Sequence, residues 1–280
     1  MPKKIFPSQQ HVALVYNNDK PQARHEWTRL QRWLEQRKVH VTNSSKVTTA
    51  MKNADFVVAV GGDGTVLSVV RHVAAWGLPV LGVNVGRLGF LAATEVNAMF
   101  KMLTKALAGE CRVEVRTMLS VSGTIRGKKF GHHLALNDCV VRSGSSGRVL
   151  QLRAMVRDKP LASYAGDGLI ISTPTGSTAY NLAASGPIVY PDLDVLLLCP
   201  ICPHSLVQRP LVMPTFEIIE VEVLKPSPPA LLCVDGHVSE TLHPGDRVFV
   251  QRAEQQAKLL MDPDRTYYQV LQSKLKWGGS

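Results

Sequence analysis

Asp55-Phe56-Val57-Val58-Ala59-Val60-Gly61-Gly62-Asp63-Gly64-Thr65 carries an apolar run straight into a glycine-rich turn that holds one carboxylate. Phe56 to Val60 shows no alternation of apolar and polar residues, which reads as a strand buried on both faces. Thr65-Val66-Leu67-Ser68-Val69-Val70 then changes to helical spacing, so Asp63 is expected on a strand-to-helix turn. Glycines at 61, 62 and 64 remove the side chains that would stop the backbone closing on a bulky anion, and the N–H groups that open the next helix favour negative charge. The stretch reads as a phosphate cradle with a carboxylate inside it. Gly and Asp are also common turn residues for conformational reasons alone, so a bare tight turn is an equally good reading of these residues by themselves. They match neither the G-x-G-x-x-G fingerprint nor the Walker pattern ending in Gly-Lys-Ser/Thr.

The flanking chain alternates strand and helix. His11 to Tyr16 is a strand, Pro21 to Arg37 a helix with Trp27, Leu30, Trp33 and Leu34 on one face, and Val39 to Thr42 a second strand. After the glycine turn come a helix over 65–76, Gly77 as its stop, and a strand from Pro79 to Val83. Asn84-Val85-Gly86-Arg87-Leu88-Gly89-Phe90 follows at the carboxyl end of that strand, where open parallel sheets bind ligands, and is expected to face the same crevice as Asp63. Thr94-Glu95 is placed to cap a helix to residue 108, with Met99, Phe100, Leu103 and Leu107 buried and Gly109 ending it.

Beyond Gly109 strand patterns follow one another without helices: Arg112 to Ile125, His133 to Val141, Arg148 to Val156, Leu169 to Ser172, Phe216 to Leu224, Leu231 to Val234 and Arg247 to Arg252. The expected architecture is α/β plus all-β. A Rossmann-like α/β domain spans 1–110 and a β-sandwich-like domain spans 111–254. Arg265 to Lys276 returns to helical spacing, so 255–280 is expected to dock back on the first domain. One segment interrupts the strands. Tyr164-Ala165-Gly166-Asp167-Gly168-Leu169-Ile170-Ile171-Ser172-Thr173-Pro174-Thr175-Gly176-Ser177-Thr178-Ala179-Tyr180-Asn181-Leu182-Ala183 leads from a buried strand into a turn rich in Thr, Gly and Ser. Ser177 or Thr178 can cap a short helix that bears Tyr180. Hydroxyls, free N–H groups and an aromatic ring there suit a ribose, a phosphate and a base; a capped helix with a core tyrosine is the plainer alternative.

Bulk properties narrow the class. The chain has 280 residues, 45% of them apolar, and a net charge of +10. Its Lys and Arg are dispersed, with no basic tail interleaved with aromatics, so the charge suits a nucleotide-sized anion as well as it suits a nucleic acid. The basic start, Met1 to Gln10, has no apolar run behind it, and Val195 to Cys199 falls far short of the roughly 20 residues of a membrane span. A cytoplasmic protein is expected. Five cysteines at irregular spacings do not form a disulfide framework. Cys199 and Cys202 with His204 resemble a metal knuckle, but no second pair completes one, so buried thiols are expected and no protein-built metal site.

Taken together, these residues resemble the NAD kinase family over nearly the whole chain. The likeness rests on Gly61-Gly62-Asp63-Gly64-Thr65, the Asn84 to Leu91 loop, Leu136-Asn137-Asp138, and above all Asp167-Gly168 through Thr178-Ala179-Tyr180. The first motif is shared with diacylglycerol and sphingosine kinases and, in related form, with phosphofructokinases. The resemblance implies transfer of the γ-phosphoryl of ATP, with a divalent cation such as Mg²⁺, to the 2′-hydroxyl of the adenosine ribose of NAD, giving NADP. It implies Asp63 as base, with Gly61, Gly62, Gly64 and Thr65 serving phosphates. It implies Asp63, Gly64, Asn137, Asp138, Arg148, Ala165, Asp167, Thr178, Ala179, Tyr180, Asn181, Leu182, Ala183 and His237 as NAD contacts, in a cleft between the domains, and a homo-oligomer, dimer or tetramer. Asp138 stands where relatives commonly have Glu, one methylene longer; Ala165 stands where some carry a charged residue, which would relax discrimination between NAD and NADH. A lipid kinase would need an apolar acceptor pocket, which the polar Thr175 to Tyr180 segment does not offer. A non-catalytic dinucleotide-binding protein would leave the carboxylate in the cradle without a task.

Overall fold

The apolar run around Val58 forms the middle of a parallel sheet in a computed structural model that describes residues 10–86, 89–144 and 148–276, with only the backbone of Val238 and Ser239. Arg87, Leu88 and Met1 to Gln9, all read above, lie outside the described residues. The chain divides into two compact units, one holding residues up to Val115 together with those from Ala257 onward, the other Arg116–Gln256.

The first unit alternates β1 (His11–Tyr16), α1 (Pro21–Glu35), β2 (His40–Ser44), β3 (Phe56–Gly61), α2 (Asp63–Val73) and β4 (Pro79–Asn84). Its strands pair in parallel in the order β2-β1-β3-β4. All six residues of β3 are buried, as a strand covered on both faces requires. Pro21 opens α1, where a missing N–H costs nothing, and Leu30 and Leu34 bury its inner face. Trp27 stacks on Tyr16 at 4.7 Å, and Trp33 carries the Arg37 guanidinium 3.7 Å above its ring. Gly77 ends the second helical segment in the left-handed region at φ 66°, a conformation glycine adopts without strain. The helix expected from residue 95 starts later. Thr94–Glu95 is a short strand, β5, paired with β4, and the Thr94 hydroxyl donates to Glu95 O instead of capping. A single 3-10 turn then leads to α3 (Met99–Ala108), which buries Met99, Met102, Leu103 and Ala106; Phe100 and Leu107 are only half-buried.

The second unit is built from most of β6 (Arg112–Ile125), β7 (Lys128–Ala135), β8 (Asp138–Ser143), β9 (Leu150–Val156), β10 (Lys159–Gly166), β11 (Gly168–Ser172), the single-turn α4 (Tyr180–Ala183), β12 (Val195–Ile201), β13 (Leu211–Pro214), β14 (Ile219–Val223), β15 (Ala230–Val234), β16 (His237–Leu242) and most of β17 (Arg247–Met261). β13-β12-β11-β8-β15-β16 form one antiparallel sheet. β10-β9-β14-β17, with β6 and β7, form the facing one. Alternation along each strand sends Val141, Leu169, Leu198 and Leu232 from the first sheet into one cluster with Leu119, Leu152, Val221 and Val250 from the second, the core of a sandwich. The opposite face of the first sheet carries a smaller apolar cluster, Val140, Ile170, Cys199 and Cys233, with Ala184 beside α4 packed on it. The carboxy-terminal end of β17 returns to the first unit, pairing Lys258 and Leu259 with Pro79 and Val80 of β4. There α5 (Tyr267–Leu275) starts in a reciprocal capping box between Thr266 and Gln269 and buries Val270 and Leu271.

Several expected strands differ in extent. His133 to Val141 is broken into β7 and β8 at Leu136-Asn137, because the backbone N–H groups there bond a side chain rather than a neighbouring strand. Phe216 lies outside β14 and is 69% exposed. The Val195 to Cys199 run, read only for its length, is the buried β12.

Gly82 in β4 has no room for a side chain: a Cβ would lie 2.9 Å from both Ala92 Cα and Val66 Cγ2. Gly82→Ala is expected to destabilise the chain by about 1–3 kcal/mol, the usual cost of overpacking, read as a lower urea midpoint at unchanged m-value.

Candidate functional site

In the first unit the site grows from the end of β3. Gly62 is the N-cap of α2 and Asp63 its first helical residue, so the carboxylate stands at the helix's positive end. The glycines of this turn do different things. A Cβ on Gly61 would collide with the Thr65 side chain, so Gly61 is demanded by packing inside the protein. Gly64 has nothing within 4 Å of its missing Cβ, and Gly62 only the Lys20 ammonium at 3.6 Å. Gly62 lies at φ −110°, ψ −174°, extended backbone open to any residue. Neither conformation nor neighbouring protein therefore explains Gly62 and Gly64.

Asp63 is held from the far side by the Asn84 to Leu91 loop. Its Oδ2 accepts the Phe90 N–H at 2.8 Å and its Oδ1 the Leu91 N–H at 3.3 Å. Gly89 touches the carboxylate so closely that a Cβ there would overlap it. Lys20 is a residue that periodicity did not single out. The turn before α1 brings it here: the Asn17 N–H donates to Val60 O at 3.0 Å, and the Lys20 N–H donates to Asn17 O at 3.2 Å. The turn is thus pinned to the residue just before the glycines. The Asn-Asn-Asp-Lys-Pro run at 17–21 was the available signal.

In the second unit Asn137, Asp138, Ala179 and Tyr180, four of the expected contacts, come together. They line a pocket of about 410 Å³ with Val140, Arg142, Cys233, Asp235 and Gly236. Strand alternation explains the lining: with Cys139, Val141, Leu232 and Val234 turned into the sandwich, Val140, Arg142 and Cys233 face outward. Tyr180 is 42% exposed, so the core-tyrosine alternative does not hold. No side chain caps α4; the Ser177 hydroxyl is exchanged with Val189, donating to its O at 3.2 Å and accepting its N–H at 3.0 Å, and Thr178 donates to Thr175 O.

The remaining expected residues lie outside that lining. Arg148 and His237 are exposed, at the approach to β9 and the start of β16. Ala165, half-buried in β10, accepts the His204 N–H at 2.8 Å. The exposed Asp167 links β10 to β11, and its carboxylate accepts the Cys202 thiol and pushes that thiol's pKa up. Leu182 is half-buried and Ala183 exposed on α4. Asn181 has no exposed surface; its amide nitrogen donates to Ser177 O and Pro187 O, and its Oδ1 is buried without a hydrogen-bond partner. All five cysteines are unpaired; Cys199 is buried and Cys202 exposed. Among the described residues no group of three His, Cys, Asp or Glu is placed to hold a metal ion.

Asp235 and Arg142 were missed. Asp235 is buried, and its carboxylate accepts the N–H groups of Leu136, Asn137 and Asp138 at 3.0, 2.8 and 3.2 Å. The Asp-Gly step after an apolar strand signalled a hairpin turn, but nothing local signalled which backbone the carboxylate would reach. Burial first, and then the Asp235 charge, push Asp138 up to about 7. On the other edge, Leu136 O accepts the Thr173 hydroxyl at 2.6 Å, and Asn137 O accepts the Thr173 N–H at 2.9 Å and the Ser172 hydroxyl at 3.1 Å.

Comparison with known proteins now applies to both units. Residues 47–111 match the ATP-NAD kinase N-terminal domain, and residues 136–261 the ATP-NAD kinase C-terminal domain. The NAD kinase of Heliobacterium modesticaldum is 39% identical over 279 residues, covering 95% of this chain and 99% of that protein. That of Moorella thermoacetica is 42% identical over 284 aligned positions, covering 97% and 91%. Among solved structures, an NAD kinase from Archaeoglobus fulgidus in complex with ATP superposes with a TM-score of 0.78 at 26% identity, covering 95% of this chain and 99% of its own. Yeast NADH kinase complexed with NADH has the same fold, with a TM-score of 0.86 at 23% identity, covering 100% and 93%. The chain belongs to the ATP-NAD kinase family, phosphotransferases with an alcohol group as acceptor.

Proposed function

We propose that Asp63 is the base of an NAD kinase reaction in which Gly61, Gly62, Gly64 and Thr65 receive the phosphates of ATP and the second unit's pocket receives NAD. The observation that carries this reading is the pair of glycines that nothing in the protein requires, beside a carboxylate held in place by two backbone N–H groups. The 2′-hydroxyl oxygen of the adenosine ribose attacks the γ-phosphorus of ATP, the bond to the ADP oxygen breaks, and the hydroxyl proton passes to Asp63. Phosphoryl transfer asks a protein mainly to position and to neutralise, which a glycine cradle at a helix N-terminus does. Asn137, Asp138, Ala179 and Tyr180 hold the dinucleotide, with Arg148, Ala165, Asp167, Thr178, Leu182, Ala183 and His237 as flanking contacts. Asn181 serves by fixing its turn. Lys20, beside Gly62, adds positive charge to the phosphates.

A divalent cation such as Mg²⁺ fits this donor set as part of the ATP complex. Mg²⁺ takes most of its ligands from phosphate oxygens and water, so the ATP complex itself brings it and Asp63 stays free to act as base. When bound it neutralises charge on the transferred group. A cytoplasmic homo-oligomer, dimer or tetramer, completes the reading; five unpaired cysteines suit a reducing compartment, and Leu206, Val207 and Phe216, at 88, 84 and 69% exposure, suit association. No helix of the described residues is long and apolar enough to cross a membrane.

The test is NADP formation from NAD, ATP and Mg²⁺, read by an NADP-specific dehydrogenase. Asp63→Asn is expected to lower kcat by roughly 100- to 10,000-fold, the span of a lost general base; a loss below about tenfold in a folded protein removes Asp63 from that role. Gly64→Ala is expected to leave the fold as stable or about 0.5–1 kcal/mol more stable, since a helical glycine gains a side chain in open space. Its turnover should nevertheless fall by roughly tenfold or more as the new methyl group displaces phosphate. Lys20→Ala is expected to raise the KM for ATP by roughly three- to tenfold and Lys20→Arg to restore most of it; equal KM values in all three proteins would take Lys20 out of the phosphate site.

A further inference from the structure

We propose that Asp235 is a positioning residue: through its grip on the Leu136–Asp138 backbone it sets where the Asn137 and Asp138 side chains meet NAD and makes that contact pH-dependent. The proposal rests on the reading of the pocket as the dinucleotide site. It begins from the turn between β15 and β16, where Asp235 and Gly236 both lie in the left-handed region, at φ 48° and 79°. Asn would serve such a turn at least as well as Asp. The carboxylate is explained instead by what it accepts. Three consecutive N–H groups converge on it, and the Asp235 N–H returns to Asp138 O at 3.0 Å. Successive backbone N–H groups of this kind form an anion-binding concavity, here filled by the protein's own carboxylate.

With Ser172 and Thr173 on the carbonyl edge, the peptide groups between β7 and β8 are bound from both sides. Their polar atoms are already used, which leaves the side chains of Asn137 and Asp138 to address a ligand. The arrangement places two carboxylates together in a buried setting. Burial, then repulsion from Asp235, raises Asp138 to about 7, so its ionised form, able to accept from ribose hydroxyls, is populated above that pH. The other titratable or charged groups that share the pocket with Asp138 are Arg142 on its own strand, Cys233 on β15 and Tyr180 on α4. The adjacent Cys139 is buried behind it, with its thiol pKa raised by burial and then by the Asp138 charge.

The experiment compares the full chain with Asp235→Asn, which keeps the turn and the side-chain volume but presents an NH₂ where a second acceptor oxygen stood. kcat/KM for NAD, KM for ATP and amide hydrogen exchange at 136–138 are measured from about pH 5.5 to 8.5. In wild type, kcat/KM for NAD is expected to rise with pH through an inflection near 7. In Asp235→Asn it should fall about 10- to 100-fold with the KM for ATP unchanged. Exchange at 136–138 should quicken, and the inflection should move to lower pH, because removing the Asp235 charge removes one cause of the raised Asp138 pKa. An unchanged kcat/KM and inflection would overturn the proposal. So would a loss spread equally over NAD and ATP, which marks a merely structural role. If the variant does not fold, the wild-type profile decides: an inflection near 7 supports the coupling, and a flat profile from about pH 6 to 8 overturns it. Wild type that fails to bind NAD at all sinks the pocket reading itself, and is distinguished by calorimetry with NAD alone.

Discussion

Carboxylates that accept consecutive backbone N–H groups hold the working loops of both units. Asp63 takes the N–H groups of Phe90 and Leu91, and Asp235 those of Leu136, Asn137 and Asp138. A loop N–H without a strand partner must find an acceptor or lose free energy on burial, and a carboxylate satisfies several at once with charge-assisted bonds. The same bonds orient the acid. At Asp63 the loop holds the carboxylate at the start of α2; at Asp235 the carboxylate holds the loop that carries Asn137 and Asp138.

The sandwich of the second unit supplies a pocket because its first sheet is apolar on both faces. Val141 and Leu232 face the facing sheet, and Val140 and Cys233 face out beneath α4. A sheet covered on one face only would have turned polar residues outward at those positions. On that outer face Val140, Cys233, Ala179 and Tyr180 line a cavity with Asn137, Asp138, Arg142 and Asp235, a surface with a few convergent polar groups.

The glycines show how differently one residue type can be used. Gly61, Gly82 and Gly89 exist because side chain or backbone already fills the space. Gly77 and Gly236 exist because the chain turns through the left-handed region. Gly62 and Gly64 have neither reason, and that absence of an internal cause, not the presence of a motif, directs attention to a ligand.

Much of this was legible in the chain alone. Apolar periodicity placed β1, α1, β3, α2 and β4, because burial of a sheet flanked by helices imposes run length and spacing locally. The change to successive strands after Gly109 announced the β-rich unit, and the glycine and Thr-Gly-Ser-Thr-Ala-Tyr motifs announced the family. Other features were decided only in three dimensions. β10 and β12 did not stand out, since a strand's face is set by partners distant in sequence. His133 to Val141 read as one strand, because the carboxylate that breaks it lies 98 positions from Asn137. Asn181 read as a ligand contact, and only the fold shows that its amide nitrogen bonds Ser177 O and Pro187 O within its own loop. Which residues are apolar and where the chain must turn are properties of the sequence, whereas which carboxylate meets which N–H depends on long-range packing, and only the tertiary structure decides it.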